Sequence, residues 1–242
     1  MMLIGTAGWS IPRDVADEFP AQGTSLERYC ARFPGAEINS SFHRSHRRST
    51  WERWEDSVPP QFRFSVKLPK SITHVAKLRD CEGLLDAFLA EVAPLGPKLA
   101  VLLVQLPPKL AYDTGLVQTF FEQLQARTQI PIACEPRHLS WFTSEADRQL
   151  SALRVARVAA DPACCQGADE PGGWRGFAYW RLHGSPVKYR SSYADRLPAL
   201  ADALSLAASS GDAWCIFDNT ASSAAAGNAL ELMTILQAGP GG

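Results

Sequence analysis

Arg181 and His183 lie two residues apart in the string YWRLHG, a spacing that puts both side chains on one face of a strand. A guanidinium and an imidazole projecting together suit a site that grips an oxyanion and moves a proton. The same alternation in FRFSVKL sets Phe64, Val66 and Leu68 on one face and Arg63, Ser65 and Lys67 on the other. Apolar residues must meet covering helices, so Lys67 is expected to point inward near the end of its strand. In AEINSSF, Glu37 and Asn39 share the inward face. Gln105 closes the apolar run LAVLLVQL, Glu135 and Arg137 close the next, and Asp161 closes VARVAAD. In IFDN, Asn219 lies with Phe217 and is taken as inward, and Asp218 is expected to face the other way.

These residues admit several chemistries. Glu37, Glu135, His183 and Lys67 are candidate catalytic groups: the carboxylates as general bases, His183 as an acid or base near neutral pH. Asn39, Gln105, Arg137, Arg181 and Asn219 are candidate ligand-binding residues. Arg181 and His183, with the backbone N–H groups beyond Gly184, would favour an anion. A Schiff base on Lys67 requires a depressed amine pKa, and nothing in the local sequence indicates one. Glu37, Glu135, Asp161 and His183 would be the ligands of a divalent metal. No H-x-H or H-E-x-x-H spacing occurs, however, and three neighbouring cations oppose a dication, so no metal or cofactor is expected. Glu37 and Glu135 would also serve a glycoside hydrolase, for which no specific string is present.

The elements that must position these groups alternate along the chain. Strands are expected at 3–9, 36–42, 62–68, 99–106, 130–135, 155–161, 177–183 and 214–219. Helices are expected at 25–33, 49–57, 81–95, 114–127, 144–154, 197–209 and 224–237. Pro162 to Gly176 is rich in Gly, Pro and Cys and reads as a loop. Eight strand–helix units of about 30 residues predict a TIM-type (β/α)8 barrel whose sixth unit lacks a full helix. An open doubly wound sheet is the competitor, but no G-x-G-x-x-G follows the first strand. One domain over 3–237 is expected, with a flexible tail at 238–242. Nearly every strand turns polar at its C-terminal end, where barrel enzymes hold their chemistry.

Composition narrows the function further. The 242 residues carry 24 Lys+Arg against 25 Asp+Glu, a net charge of −1, which argues against sequence-independent nucleic-acid binding. The one basic cluster, His43 to Arg48, follows the second strand and is the only place where a nucleic-acid backbone would be drawn in. No apolar stretch approaches the roughly 18 residues of a membrane helix, and no basic n-region precedes an apolar segment. Six cysteines without C-x-x-C spacing suit free thiols in a reducing cytoplasm. Cys164-Cys165 is an unusual adjacent pair in the sixth-unit loop.

The strings IGTAGWS, EINSSFHR, FRFSVKLPKSITH, LLVQLPPKL, EPRHLSWF, YWRLHG and IFDN, in this order, resemble the YecE-like family, the domain of unknown function 72. The resemblance covers roughly positions 3 to 235 and implies a TIM-type barrel. It leaves the reaction open. It implies recurrent polar residues at Glu37, Asn39, Ser40, Lys67, Thr73, His74, Gln105, Glu135, Arg137, Arg181, His183 and Asn219, and so adds His74 to the ligand-binding candidates. The chain departs from the family pattern at His43, Pro136 and Asp218. The expectation is an enzyme acting on a small anionic or sugar-like ligand; the alternatives are a non-catalytic binding or scaffold protein, or a nucleic-acid-binding or -processing protein that uses the His43–Arg48 loop.

Overall fold

The computed structural model describes residues 1–238; Ala238 closes the last helix, and the rest of the expected tail, 239–242, lies outside the described residues. The strands are β1 (Met2–Thr6), β2 (Gly35–Ile38), β3 (Arg63–Lys67), β4 (Leu99–Gln105) and β5 (Ile132–Glu135). They continue with β6 (Val155–Arg157), β7 (Ala159–Asp161), β8 (Gly172–Gly173), β9 (Phe177–Leu182) and β10 (Asp212–Phe217). Between them run α1 (Ser25–Cys30), α2 (Arg48–Asp56), α3 (Glu82–Val92), α4 (Thr114–Gln125), α5 (Ser144–Ala152), α6 (Leu197–Ala208) and α7 (Ala224–Ala238).

Local chemistry sets these boundaries. Thr24 and Glu27 form a reciprocal capping box at α1: the Glu27 N–H donates to the Thr24 hydroxyl at 3.3 Å, and the Thr24 N–H donates to Glu27 Oε2 at 2.6 Å. Asp113 caps α4 through the Leu116 N–H at 2.8 Å. Val117, Phe120, Phe121 and Leu124 then recur at the three-and-four spacing of one helix face, and all four are buried.

Two ladders form, in the orders β1–β10–β9–β7 and β2–β3–β4–β5–β6–β8. Every pairing is parallel except β6 with β8. The ladders meet in two places. Ala7 bridges to Glu37 in parallel, the Gly8 N–H donates to the Glu37 carbonyl at 2.8 Å, and the Ala7 N–H donates to the Phe217 carbonyl at 2.9 Å. Here a Cβ on Gly5 would collide with the Gly35 carbonyl, so the backbones approach as only glycine allows. At the other meeting point β6 pairs with β5 while β7, one residue further on, pairs with β9.

The strand expected at 155–161 is thus split at Val158, whose N–H donates to the Cys134 carbonyl at 2.8 Å. Between β7 and β9 there is no helix, only β8 laid against β6. Arg157 holds this crossing, donating to Asp147 Oδ1 at 3.2 Å and to the Gly167 and Glu170 carbonyls at 3.1 and 3.4 Å.

Buried apolar side chains fall into two groups. Phe64, Val66, Leu68, Trp180 and Phe217 belong to a layer shared with the helices. Leu3, Val101, Leu103, Tyr179, Trp214 and Ile216 pack among themselves inside the strands, with Tyr179 and Trp214 stacked at 6.0 Å and 18°. The alternation of β9 and β10 across these two layers decides which polar residues face inward at the strand ends. Among the described residues, no helix is long and apolar enough to cross a membrane.

Candidate functional site

Parallel strands present their C-terminal ends on one side, and Arg181 at the end of β9 is the hub there. Its side chain is fully buried. Nε and Nη2 donate to the two oxygens of Glu37 at 2.8 and 2.6 Å, Nη1 donates to Glu135 Oε2 at 2.8 Å, and Nη2 reaches Asp218 Oδ2 at 3.2 Å. The remaining Nη1 proton faces His183 Nε2 at 3.4 Å. All five guanidinium N–H groups therefore have partners. Burial alone would lower the Arg181 pKa, and attraction to Glu37, Glu135 and Asp218 overcomes this and holds it well above the ordinary value. For Glu135, burial is again the largest influence and would raise the pKa. Arg137, Arg181 and His183 outweigh it and keep the carboxyl well below the usual range.

Glu135 also accepts from Gln105 Nε2 at 3.2 Å on each oxygen and pairs with Arg137 through Oε1. The His183 ring sits between acids of two strand ends. Nε2 lies 3.1 Å from Glu135 Oε1 and 2.7 Å from Arg137 Nη2; Nδ1 lies 2.9 Å from Asp218 Oδ2 but out of line for a hydrogen bond. When Arg137 donates to Nε2, the neutral ring carries its proton on Nδ1, toward Asp218. When the ring is doubly protonated, Nε2–H donates to Glu135. Both ring nitrogens of His183 thus face charged side chains.

Lys67 stands apart from these pairs. It is 6% exposed, its Nζ sits 4.1 Å above the Phe42 ring, and no carboxylate lies within 4.0 Å among the described residues. Burial and then the Arg181 charge lower its pKa to about 8, against the pull of Glu37, Glu135 and Asp218. His74 packs edge-on against the same Phe42 ring at 4.9 Å, and its Nδ1 is 2.9 Å from the Thr73 hydroxyl. Burial and the Lys67 charge lower the His74 pKa as well.

Of the sequence-based candidates, Glu37, Gln105, Glu135, Arg137, Arg181 and His183 share one network, with Lys67 and His74 beside it. Three expectations need correction. Arg181 is not available to an anion, because Glu37, Glu135 and Asp218 enclose it; at the turn, the Gly184 N–H donates to the Tyr193 hydroxyl at 2.8 Å. Asp161 is held by Tyr193 at 2.6 Å and Arg196 at 2.9 and 3.2 Å, outside the network. Asp218, expected to face away, is a member, whereas Asn219 donates to the Ser191 carbonyl at 3.0 Å and Asn228 Oδ1 at 2.9 Å. Asn39 shares no bond with the network, and its buried Oδ1 has no partner among the described residues.

Two further residues escaped notice in the sequence. Tyr179 donates to Glu37 Oε2 at 3.1 Å and lies 2.9 Å from the Ser65 hydroxyl; it shares the face of Arg181, so alternation contained the signal. Tyr189, on the loop after β9, sets its ring edge-on to His183 at 5.8 Å from a left-handed backbone, φ 64°. No local pattern marks a loop residue of that kind, and such strain gathers where structure overrides local preference.

In the basic cluster, His46 lies 2.9 Å from the Ser40 hydroxyl and packs on Trp51 and Trp54. Arg48 pairs with Glu52, and the exposed Arg44 and Arg47 keep the cluster's charge at the surface. The Cys164 and Cys165 sulfurs stand 3.9 Å apart in the sixth-unit loop.

Parallel strands with helices outside them and an ionic site at their carboxyl ends define a TIM-barrel-like α/β protein. The chain belongs to the family described as protein of unknown function DUF72, whose model matches residues 3–241. UPF0759 protein YecE of Escherichia coli (strain K12) is 35% identical over 150 residues, 62% of this chain and 53% of that one. The chain thus spans about half the length of the curated relatives it matches. A DUF72 family protein of Enterococcus faecalis V583 superposes with a TM-score of 0.83 at 20% identity, covering 98% of this chain and 96% of that one. One from Thermotoga maritima MSB8 does so with 0.81 at 23% identity, covering 98% and 99%. At such identities the structural likeness concerns the fold.

Proposed function

We propose that the two ladders close into an eight-stranded barrel and that its C-terminal mouth is the active site of an acid/base enzyme. Its substrate in this reading is a small anionic or polyhydroxylated molecule. The observation that carries the proposal is Lys67: a nearly buried amine without a counter-ion, lowered to about 8, beside a saturated ionic network. A lysine kept for stability alone would be paired with a carboxylate, since burying an unpaired charge is costly. Amines that titrate near neutral pH are those suited to take up and release protons in catalysis.

Roles follow from the geometry. Arg181 is the counter-ion that fixes Glu37, Glu135 and Asp218, and His183 and Lys67 are the proton-carrying groups. The ligand's negative charge falls to Arg137, whose buried Nε has no partner among the described residues, and to Lys188 on the neighbouring loop. Burial and the Arg137 charge lower the Lys188 pKa.

The test is incubation with panels of sugar phosphates and hydroxy acids in deuterated water, followed by proton NMR. Carbon-bound proton exchange or conversion is expected with the wild type and absent from Lys67→Met. Ligands that raise the melting temperature yet show no exchange or conversion would overturn the catalytic reading in favour of a binding protein.

A further inference from the structure

We propose that Lys67 is a covalent amine nucleophile that forms a Schiff base with an aldehyde or ketone bearing an anionic group. This rests on the site proposed above and goes beyond it: there Lys67 only moves protons, here it bonds to carbon.

The geometry has three parts. Nζ ends β3 on the inner face and has no carboxylate within ion-pair reach among the described residues, so its lone pair, once freed, is not held by a neighbour. The Phe42 ring, 4.1 Å below Nζ, favours the charged form as a cation–π partner, so the lowering of the amine pKa comes from burial and from Arg181. Of the charged and titratable groups around it, Arg181 opposes its charge and Glu37, Glu135 and Asp218 favour it, while His74, across the Phe42 ring, has its own pKa lowered by burial and by Lys67. Burial and Arg181 prevail, leaving a substantial neutral fraction near pH 8. An amine kept partly neutral by burial and a nearby cation, with no carboxylate bound to it, is suited to carbonyl addition.

His74 supplies the second need. It touches the same ring, and because Nδ1 faces the Thr73 hydroxyl, Nε2 is left to exchange protons at the rim. The step balances as follows. The Nζ lone pair attacks the carbonyl carbon, the C=O π pair moves to oxygen, and that oxygen takes a proton while nitrogen loses one. Protonation of the carbinolamine hydroxyl, with His74 as carrier, then expels water as the nitrogen lone pair forms C=N. The iminium nitrogen then gives a proton back to His74, so amine and carbonyl become imine and water, with no oxidant or reductant. Arg137 and Lys188 favour carbonyl compounds that carry a carboxylate or phosphate.

The experiment traps the imine. Full-length protein is treated with glyoxylate, or with neutral glycolaldehyde, together with cyanoborohydride at about pH 7.5, near the titration of the amine. Peptide mass mapping then locates the reduced adduct. Lys67 is expected to label several-fold faster than the exposed Lys70 and Lys109, and faster with glyoxylate than with glycolaldehyde. Its rate is expected to level off above about pH 8, whereas that of free Nα-acetyl-lysine run alongside keeps rising toward the ordinary amine value of about 10.4. Lys67→Arg keeps the charge and should lose the adduct. Should that variant not fold, the distribution of label in the wild type decides.

Labelling of Lys67 no faster than Lys109, or preferential labelling of Lys188, would overturn the covalent step. If Lys67-dependent proton exchange persists without an adduct, the covalent step alone fails and the acid/base reading stands.

Discussion

Arg181 has a full set of acceptors, and three carboxylates depend on it. Arg181→Met leaves Glu37, Glu135 and Asp218 buried around a vacated centre, with an expected loss of about 3–5 kcal/mol in urea unfolding. Arg181→Lys restores one charge without the planar fork, so only part of the loss should be recovered. Tyr179→Phe is milder. It removes one donor to Glu37, which keeps both Arg181 bonds, and an effect of about 1 kcal/mol is expected in the same measurement. Most of this network was legible from alternation, because Glu37, Lys67, Arg181 and His183 sit on strands whose apolar partners mark the opposite face. Asp218 was misplaced for a physical reason. The ladder ends at Phe217, and the inner face must be counted forward from Trp214 and Ile216 rather than back from a polar Asn219. The unpaired state of Lys67 was not legible at all, since it depends on which acids Arg181 has already claimed.

At the scale of elements, the approach of β1 to β2 is the tightest joint. Tyr29 crosses it: the Thr6 N–H donates to the phenolic oxygen at 2.9 Å, and that hydroxyl reaches the Gly35 carbonyl at 3.2 Å. Tyr29→Phe should cost about 1–3 kcal/mol by leaving buried backbone groups unpartnered. Gly5→Ala should cost about 1–3 kcal/mol through the clash with Gly35, and both losses are measurable as a lower denaturation midpoint. Strand and helix periods revealed these elements to within a few residues, and Gly, Pro and Cys between 162 and 176 revealed the missing helix. The split of the sixth strand at Val158 was not legible. VARVAAD reads as one unbroken alternating strand, Val155, Arg157, Ala159 and Asp161 against Ala156, Val158 and Ala160, and the partner change from β5 to β9 is a tertiary event.

The whole molecule should respond to pH on both sides of neutrality. Glu135 and Asp218 have folded pKa values below their unfolded ones, so below about pH 4.5 the unfolded chain binds more protons and stability falls with acidification. Lys67 acts in the alkaline range. Its folded value of about 8 lies below the unfolded amine, so the unfolded chain again holds more protons between about pH 8 and 10, and its contribution to stability rises with pH. Urea titrations across pH should show the acid-side fall, with its slope reduced in Glu135→Gln. They should also show an alkaline component that Lys67→Met removes.

The acids joined by Arg181 belong to distant parts of the chain, Glu37 being 144 residues away from it in sequence. On a ribosome, the strands bearing Glu37 and Glu135 emerge long before their counter-ion does. Until residue 181 is synthesised, those carboxylates have no reason to leave water, and the inner layer still lacks Tyr179 and Trp214. The first two thirds of the polypeptide is therefore expected to wait in a loose, solvated form and to commit only when β9 arrives. Hydrogen exchange on nascent chains stalled before and after residue 190 would show protection of β2 and β5 only in the longer chain.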